Sequence, residues 1–213
     1  MRGFLWGAPP IPRRASQAIE VLEPQNEEPI ELPRFRPAME LYESQELRVV
    51  LGRSCSAERD VHMETCAAER VAVVRRESGG GTILLGPGCL VYSVHISLQE
   101  HPAYTSIERS YELLLGELIR VLDLPDLTIE GSDVFYQGRK FSGNAQRRTR
   151  NHLLHHGTIL YETFDLTDIE RLLCEPARQP AHRNGKTHAQ FLTKLPLTKE
   201  ELTKRLKSYS PPI

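Results

Sequence analysis

Three consecutive glycines at residues 79–81, preceded by an arginine pair and a serine, constrain this chain more than any other feature of its sequence. Glycine has no Cβ, so a ligand can approach its backbone closely and accept hydrogen bonds from its N–H groups. Arg75 and Arg76 are suited to bind a carboxylate or a phosphate through forked, charge-assisted hydrogen bonds. The stretch predicts an anion-binding loop after the apolar run 71–74, although glycine triplets also occur in simple turns.

Two further clusters follow the triplet in the sequence. The first is the basic and glycine-containing string GRKFSGNAQ at positions 138–146, and the second is HHGT at positions 155–158. Each combines glycine with charged or polar side chains, as expected where the backbone approaches a polar ligand. Three such elements in order are more specific than any one of them alone.

In this order the three clusters resemble the lipoate–protein ligase and octanoyltransferase family, which shares its catalytic fold with biotin–protein ligases. The family pattern is R-R-x-S-G-G-G, then G-x-K-x-x-G-x-A, then H-G followed by Thr or Ser. The resemblance covers residues 46–175, and the matching positions are Arg75, Arg76, Ser78, Gly79, Gly80, Gly81, Gly138, Lys140, Gly143, Ala145, His156, Gly157 and Thr158.

The chain departs from the family pattern directly after the triplet. Ligases carry a His-Asp pair where this chain has Leu85 and Gly86, and they often have Asn where it has Cys89. The Gly-Pro-Gly turn at 86–88 is closer to the octanoyltransferase branch, although that branch has a histidine at the position of Leu85. The arginine-rich motif of biotin ligases is absent from the sequence, so biotin is not the expected acyl group.

The composition is that of a soluble globular protein, with 213 residues, 39% hydrophobic and 26% charged. A net charge of −1 gives no general reason to expect nucleic-acid or membrane binding. No apolar run approaches the ~18 residues of a membrane span. Four cysteines without metal-ligand spacing are typical of a reducing compartment. We therefore expect a cytoplasmic protein with neither nucleic acid nor membrane as a partner.

Seven prolines lie in residues 1–40, and a run of acidic residues lies among them. Because proline fixes φ and removes a backbone donor, this segment is expected to be a loosely ordered arm. Residues 41–213 are expected to form a single catalytic domain. Many ligases add a C-terminal accessory domain, for which this chain has no room. A separate accessory protein, or a transferase mechanism, would account for that.

The predicted elements alternate without a regular βαβ rhythm, which favours an α+β fold over a doubly wound one. Strands are predicted at residues 47–52, 71–74, 89–97 and 134–136. Helices are predicted at 57–69 after Ser56, from Thr105 with Glu108 at capping-box spacing to Leu122, at 165–174, and after Thr198 with Glu201. At most one helix is expected in residues 179–213. The resemblance implies the mixed two-sheet core of class II synthetase-like enzymes.

Lys140 is the catalytic residue that the resemblance implies. A lysine beside an acyl adenylate can polarise its carbonyl and neutralise its phosphate charge. From the residues alone, a solvated basic turn is the plain alternative, because five basic residues lie within 139–150. Three of them could meet the acidic surface of an acceptor domain, and a nucleic-acid patch is less favoured because Phe141 is the only aromatic residue there. These three are Arg147, Arg148 and Arg150.

Three other side chains carry alternatives that the sequence leaves open. Asp133 stands where the family has an Asn-Asp pair and could bind Mg²⁺ or the adenine-ribose end, or could form a simple Asx-turn. His156 could hydrogen-bond a carbonyl group at the acyl tunnel or be structural, whereas His155 is expected to face solvent. Cys174 lies close to the sequence position at which one octanoyltransferase branch has its acyl-accepting cysteine. It could equally be a packing residue whose thiol pKa is raised by Glu175.

The leading interpretation is a lipoate–protein ligase that uses ATP and Mg²⁺ to form lipoyl-adenylate and then modifies a lysine of a lipoyl domain. The implied partners are the lipoyl domains of 2-oxoacid dehydrogenases or the H protein of glycine cleavage. The second interpretation is an octanoyl or lipoyl transferase that takes its acyl group from acyl carrier protein through an enzyme thioester. The third is a non-catalytic relative that binds lipoyl domains or small acids, which the missing His-Asp pair leaves open.

Overall fold

The computed structural model describes residues 39–177 and 179–212, so the predicted N-terminal arm lies almost entirely outside the described residues. The strands are β1 (Met39–Glu43), β2 (Arg48–Leu51), β3 (Ala72–Arg75), β4 (Ile83–Leu85), β5 (Cys89–Ser97), β6 (Leu127–Glu130), β7 (Asp133–Tyr136), β8 (Arg139–Arg148) and β9 (His152–Leu160). The helices are α1 (Ala57–Asp60), α2 (Met63–Glu69), α3 (Ile107–Leu122), α4 (Thr167–Leu172), α5 (His188–Phe191) and α6 (Lys199–Leu206).

The strands form two sheets. The larger has six strands in the order β1-β5-β9-β8-β7-β6, and every neighbouring pair in it is antiparallel. The smaller has the order β3-β2-β4, in which β2 and β3 are parallel and β2 and β4 are antiparallel. Together with the helices, these sheets confirm the predicted α+β fold with a mixed two-sheet core.

The two faces of the large sheet belong to different cores, because successive side chains of a strand point to opposite sides. On β5, Tyr92 and Val94 join a cluster with Leu118 of α3 and Leu202 of α6, which defines the helix-packed face. Cys89 and the odd-numbered residues after it point the other way. This small-sheet face packs on β2, β3 and the helices α1, α2 and α4. Functional side chains on β8 and β9 are therefore divided between the two faces by their position parity.

Helix α3 is confirmed, but its predicted cap is wrong by one residue. The N-cap is Ser106, whose Oγ accepts a hydrogen bond from the Arg109 N–H at 3.3 Å. Thr105 has helical backbone angles because it follows a 3-10 turn, whereas an N-cap residue needs an extended conformation. Its hydroxyl donates to the Pro102 carbonyl at 2.7 Å instead.

The helix predicted at 57–69 is two helices, because Val61 is extended and forms an antiparallel bridge with Leu173. The His62 N–H donates to the Leu172 carbonyl at 2.9 Å, so this break connects the α1–α2 junction to the end of α4. Ser56 stands at the N-cap, but its hydroxyl donates to Glu58 rather than capping the helix. A contact between segments that are distant in sequence thus overrides a local helical pattern.

The C-terminal part differs from the prediction in its number of helices. The capping box of α6, made by Thr198 and Glu201, is confirmed. Helix α5 was not predicted, although Thr187 and Gln190 form a second capping box at its start. Residues 179–212 therefore contain two α-helices rather than one. No helix among the described residues is long and apolar enough to cross a membrane.

Gly88, in the turn between β4 and β5, brings this turn against the segment after β9. Its φ is +87°, and a Cβ there would lie 2.2 Å from the backbone nitrogen of Phe164. Its N–H donates to Glu43 Oε1 at 2.8 Å, and its carbonyl accepts from the Tyr161 N–H at 3.0 Å. Only glycine meets both the backbone angle and the close approach.

We predict that Gly88→Ala lowers the free energy of unfolding by about 3 kcal/mol or more, because it combines left-handed strain with a backbone clash. Gly131→Ala is the matched control. Gly131 has a φ of +61°, but nothing lies within 4 Å of an added Cβ, so its loss should be about 1 kcal/mol. Urea unfolding of both variants measures the difference. Equal losses would contradict the close-packing role of Gly88.

Candidate active site

The predicted site residues of β7, β8 and β9 lie mainly on the small-sheet face of the large sheet. Ala145 pairs with His156, Gly143 pairs with Thr158, and Asp133 pairs with Gly143 across the next strand. Residues directly opposite each other in an antiparallel pair share a face, so these positions form one surface. The second and third sequence clusters are therefore neighbouring strands, which their glycine content had obscured.

Gly157 does not join this surface. It lies on the helix-packed face, where a Cβ would come within 1.9 Å of Asn144 Oδ1 and 2.7 Å of a ring carbon of Tyr92. Asn144 Oδ1 accepts a hydrogen bond from the Tyr92 hydroxyl, and its amide nitrogen donates to the Ser132 carbonyl at 2.9 Å. The structure thus associates Gly157 with the packing of a buried polar network.

Arg76 shapes the glycine loop from inside. Its Nη2 donates to the Gly79 and Gly81 carbonyls at 2.7 and 2.8 Å, and its Nη1 donates to the Val50 carbonyl at 3.2 Å. Burial lowers the pKa of Arg76 to about 10, which leaves it charged at neutral pH. The Gly79 and Gly81 carbonyls turn toward this guanidinium, and the N–H groups of residues 79–81 meet no acceptor in the described part of the chain.

Arg75 also bonds to backbone carbonyls, at the turn that follows β2. Its Nη1 lies 3.1 Å from the Gly52 carbonyl oxygen, 3.3 Å from that of Arg53 and 2.8 Å from that of Cys55. Arg75 thus supports the turn at residues 52–55, whereas Arg76 supports the glycine loop. Direct binding of an anion by either arginine stays a prediction, and the backbone N–H groups are the donors that the loop presents.

His156 is joined to the same loop through Ser78. Arg76 Nε donates to Ser78 Oγ at 3.1 Å, so the serine hydroxyl proton is available for His156 Nε2, 2.7 Å away. Burial, reinforced by the charge of Arg76, lowers the pKa of His156 to about 4. A neutral imidazole that accepts at Nε2 carries its proton on Nδ1. His156 thus contributes an acceptor that orients the loop.

His155 is fully buried, and the expectation that it faces solvent is wrong. Its Nε2 lies 3.3 Å from the Tyr92 hydroxyl and its Nδ1 lies 3.4 Å from the Gln146 amide nitrogen. Burial, together with His156, lowers its pKa to about 3. The adjacent histidines face opposite sides because side chains alternate along a strand.

Lys140 is held by an ion pair on the small-sheet face. Its Nζ lies 2.9 Å from Asp133 Oδ1, and the Asp133 residue is only 6% exposed. The pairing of β7 and β8 shifts between Val134 and Phe135, which brings Lys140 and Gly143 to the same carboxylate. A Cβ on Gly143 would lie 2.9 Å from Nζ, so the second glycine of the G-x-K-x-x-G motif makes room for the ammonium group.

The glycine loop and Lys140 share this surface. A Cβ added to Gly80 would lie 3.4 Å from the Ala145 Cβ, so the loop covers Ala145 directly. Ala145 is two positions from Gly143 along β8, a distance of about 7 Å. An anion bound by the loop N–H groups could therefore extend toward the Lys140 ammonium group.

The second oxygen of Asp133 is bound by a residue that the sequence analysis missed. His182 Nε2 lies 3.0 Å from Asp133 Oδ2, and its ring stacks on Phe191 with centroids 6.0 Å apart. The missed signal is the pair of histidines, His182 and His188, in a polar segment that had been assigned no function. Their distance in sequence from β7 hid the contact.

The Asp133 site does not fit a resident Mg²⁺ ion. Both of its carboxylate oxygens already face nitrogen donors, from Lys140 and His182. No group of three or more His, Cys, Asp or Glu side chains converges as a metal site within residues 39–177 and 179–212.

Cys174 faces the α1–α2 junction. Its Sγ lies 3.7 Å from His62 Nδ1 and is half-buried. Burial, followed by the negative charge of Asp60, raises the pKa of the thiol. Glu175, to which the sequence analysis assigned this effect, is bound instead by Arg183 and by the His188 backbone N–H.

The basic residues after Lys140 have different partners and lie in different places. Arg147 forms an ion pair with Glu77. Arg148 is bound at the start of α3, where it donates to Ser110 Oγ at 3.2 Å and to the carbonyl of Thr105. Arg150 is exposed. The five basic residues are therefore spread over both faces and do not form one continuous patch.

The comparisons with known proteins agree with the resemblance that the three clusters predict. The model of the lipoyl protein ligase A/B catalytic domain matches residues 33–203. A Schizosaccharomyces pombe protein provisionally named lipoate-protein ligase A is 32% identical over 131 residues, which are 61% of this chain and 34% of that protein. Inactive lipoate–protein ligase 2 of Plasmodium falciparum is 24% identical, over 60% of this chain and 42% of that protein. The chain spans less than half the length of these curated relatives.

Solved structures share the fold. A bi-partite lipoate protein ligase of Thermoplasma acidophilum, described with its E2 lipoyl domain, has a TM-score of 0.68 at 20% identity. The match covers 81% of this chain and 69% of the Thermoplasma chain. P. falciparum LipL1 in complex with lipoate has a TM-score of 0.61 at 18% identity. The match covers 80% of this chain and 45% of LipL1. A lipoate-protein ligase A bound with ATP has a TM-score of 0.58 at 20% identity. The match covers 81% of this chain and 70% of that ligase.

The two buried histidines of β9 predict a loss of stability in acid. Well above pH 6.5 both are neutral in the folded and the unfolded protein. As the pH falls from 6.5 to about 4, the unfolded chain binds protons that the folded protein does not, so the free energy of unfolding decreases. His156→Gln should remove about 3 kcal/mol of this decrease.

Urea unfolding at a series of pH values from neutral to acid measures this effect. The matched control is His152→Gln, at an exposed position of the same strand. An unchanged pH slope in His156→Gln, or an equal change in His152→Gln, would contradict the assignment.

Proposed function

Because this chain belongs to the lipoyl protein ligase A/B catalytic domain family, we propose that it attaches lipoate to a lysine of an acceptor lipoyl domain with consumption of ATP. The observation that carries the proposal is the position of Lys140. Its ammonium group is held 2.9 Å from a buried carboxylate, on the same sheet face that the glycine loop covers. A cation held beside N–H groups that meet no acceptor among the described residues suits a phosphate–carboxylate anhydride.

The relatives support this substrate class. Curated relatives are named lipoate-protein ligases, and proteins of the same fold have been solved with lipoate and with ATP. The Thermoplasma ligase is bi-partite and was described with an E2 lipoyl domain. We extend lipoate, ATP and a lipoyl-domain acceptor to this chain as parts of the proposal, together with a separate accessory polypeptide.

In the first step, a carboxylate oxygen of lipoate attacks the α-phosphorus of ATP. The bond to the β-phosphate breaks, pyrophosphate leaves and lipoyl-adenylate forms. The N–H groups of residues 79–81 would bind oxygens of the transferred phosphate, and Lys140 would balance the negative charge. The Arg76 hydrogen bonds would keep these N–H groups oriented, so little reorganisation accompanies the reaction.

In the second step, the neutral amine of the acceptor lysine attacks the carbonyl carbon of lipoyl-adenylate. The C–O bond to phosphate breaks, AMP leaves and the amide nitrogen loses its extra proton to solvent. Lys140 would donate a hydrogen bond to the carbonyl oxygen as it gains charge, or to the leaving phosphate. Asp133 keeps the Lys140 ammonium group from turning into solvent.

We predict that Lys140→Ala lowers transfer to the acceptor by about 100-fold or more, since it removes the charge at the reacting anhydride. The cost in folding free energy should be about 1–2 kcal/mol, because Asp133 is buried but keeps its His182 partner. The measurement is the lipoylation of a purified lipoyl domain with ATP, Mg²⁺ and lipoate, followed by gel shift. The exposed Lys207→Ala is the control and should retain activity. Full activity of Lys140→Ala would refute the assignment.

A specific contact favours a second candidate function, octanoyl transfer from acyl carrier protein. The thiol of Cys174 lies 3.7 Å from His62 Nδ1, which could take its proton. The thiolate would attack the carrier thioester, the carrier thiol would leave, and the acceptor amine would then displace Cys174. The raised thiol pKa opposes this step, so the ligase remains the favoured function.

We predict that lipoate with ATP modifies the acceptor and that octanoyl-acyl carrier protein leaves no acyl group on the enzyme, because a raised pKa keeps the Cys174 thiol protonated. Intact-mass spectrometry measures both outcomes in parallel reactions. Cys55→Ser serves as the control for Cys174→Ser, since both thiols are partly buried. An octanoyl adduct that disappears in Cys174→Ser and persists in Cys55→Ser would contradict the ligase function and support the transferase function.

A further inference from the structure

We propose that His182 is a positioning residue, which orients the Asp133 carboxylate and thereby holds the Lys140 ammonium group in place. The kinetic part of this inference rests on the proposed function, whereas the hydrogen-bonding part does not. His182 lies 49 residues from Asp133 in sequence, outside the three clusters that carry the family resemblance.

The contacts of Asp133 carry the first step. One oxygen, Oδ1, lies 2.9 Å from Lys140 Nζ, and the other, Oδ2, lies 3.0 Å from His182 Nε2. A carboxylate bound at both oxygens cannot rotate about its terminal bond without breaking one of these contacts. With the histidine donor removed, Oδ2 would be a buried oxygen without a direct partner, and the carboxylate would be free to turn. The Lys140 ammonium group would then lose its fixed location.

The ring of His182 is itself held on several sides. It stacks on Phe191 at an angle of 19°, and its edge meets Phe135 at 88° with centroids 5.6 Å apart. Its Nδ1 lies 3.9 Å from Glu130 Oε2. These contacts set the ring plane so that Nε2 points at the carboxylate. Phe191 also lies 5.9 Å from Lys140 Nζ, so one aromatic ring borders both partners of Asp133.

The segment that delivers His182, residues 181–191, is anchored by Arg183. This arginine is buried, donates from Nε to the Lys186 carbonyl at 3.0 Å, and binds Glu175 through Nη2. Its guanidinium carbon lies 5.0 Å from the Phe191 ring centroid. A side chain on a segment fixed in this way can hold a carboxylate oriented, which a side chain on a loose loop cannot.

Packing alone does not account for His182. Stacking on Phe191 and Phe135 needs only an aromatic or apolar side chain, whereas the ring nitrogen aimed at Oδ2 adds a polar contact to a buried carboxylate. His182 contacts Lys140 only through Asp133 and the shared Phe191 ring. Its effect on the reaction therefore passes through these neighbours, which makes it a positioning residue and not a catalytic one.

The test uses two substitutions of similar size that differ in one hydrogen-bond donor. His182→Gln keeps an amide N–H near the position of Nε2, and His182→Met has no donor there. We expect His182→Met to lower kcat about tenfold with the KM for ATP and lipoate unchanged, and His182→Gln to restore kcat to within about twofold. Both variants lose the stacked ring, so a stability loss common to both is separated from the effect of the donor. Equal kcat values in the two variants would overturn the proposal.

A double-mutant cycle separates an effect through Asp133 from an independent one. Asp133→Asn removes the charge on which the positioning depends, so His182→Met should cause no further loss of kcat in that background. A histidine that only supports local packing would cause the same further loss with or without the Asp133 charge. Additive losses would therefore overturn the proposal even if each single variant is impaired.

A measurement without substrate keeps this inference distinct from the proposed function. The ¹⁵N resonance of the Lys140 ammonium group, assigned by its absence in Lys140→Arg, reports whether the group is held. We expect the same signal in the wild type and in His182→Gln, and a shifted or exchange-broadened signal in His182→Met. This pattern in a protein that lipoylates no acceptor would refute the proposed function and support the positioning role. An unchanged signal in His182→Met would overturn the positioning role whatever the enzyme does.

Discussion

The half-buried guanidinium of Arg76 holds the glycine loop, the end of β2 and the third sequence cluster in one arrangement. It donates to two loop carbonyls, to the Val50 carbonyl and to Ser78 Oγ, which in turn reaches His156 on the large sheet. A charged group is stable in such a position only when its donors are satisfied. The loop therefore cannot change its conformation without breaking hydrogen bonds of this half-buried cation. The orientation of its N–H groups follows from that constraint.

The opposite side of the site depends on the missing Cβ atoms of two glycines. Gly143 leaves room for the Lys140 ammonium group on the small-sheet face, and Gly157 leaves room for Asn144 on the helix-packed face. Glycine weakens a strand, so its presence in the middle of β8 and β9 needs a local reason. Here the reason is a polar side chain that occupies the space of the missing methyl group.

The sequence was sufficient for features that depend on local pattern. The amphipathic helix α3, the capping box of Thr198 and the strand β3 all follow from short-range spacing. The catalytic role of Lys140 comes from the family resemblance instead and stays a prediction. It was insufficient where strand pairing decides which way a side chain points, as for His155 and Gly157. His182 could not be predicted because its partner lies on a distant strand, and no periodicity in the sequence encodes that contact.

The positions that carry a His-Asp pair in ligases are used here for packing. Leu85 is 1% exposed and belongs to the core between the two sheets, and a Cβ at Gly86 would lie 2.6 Å from Leu47 Cδ2. A histidine and an aspartate could not occupy these places without moving Leu47 and burying a polar ring among apolar side chains. These two positions therefore supply no polar side chain to the small-sheet face. On that face Asp133 and Lys140, joined from outside the sheet by His182, form a group of ionisable side chains that hydrogen bonds hold in a fixed order.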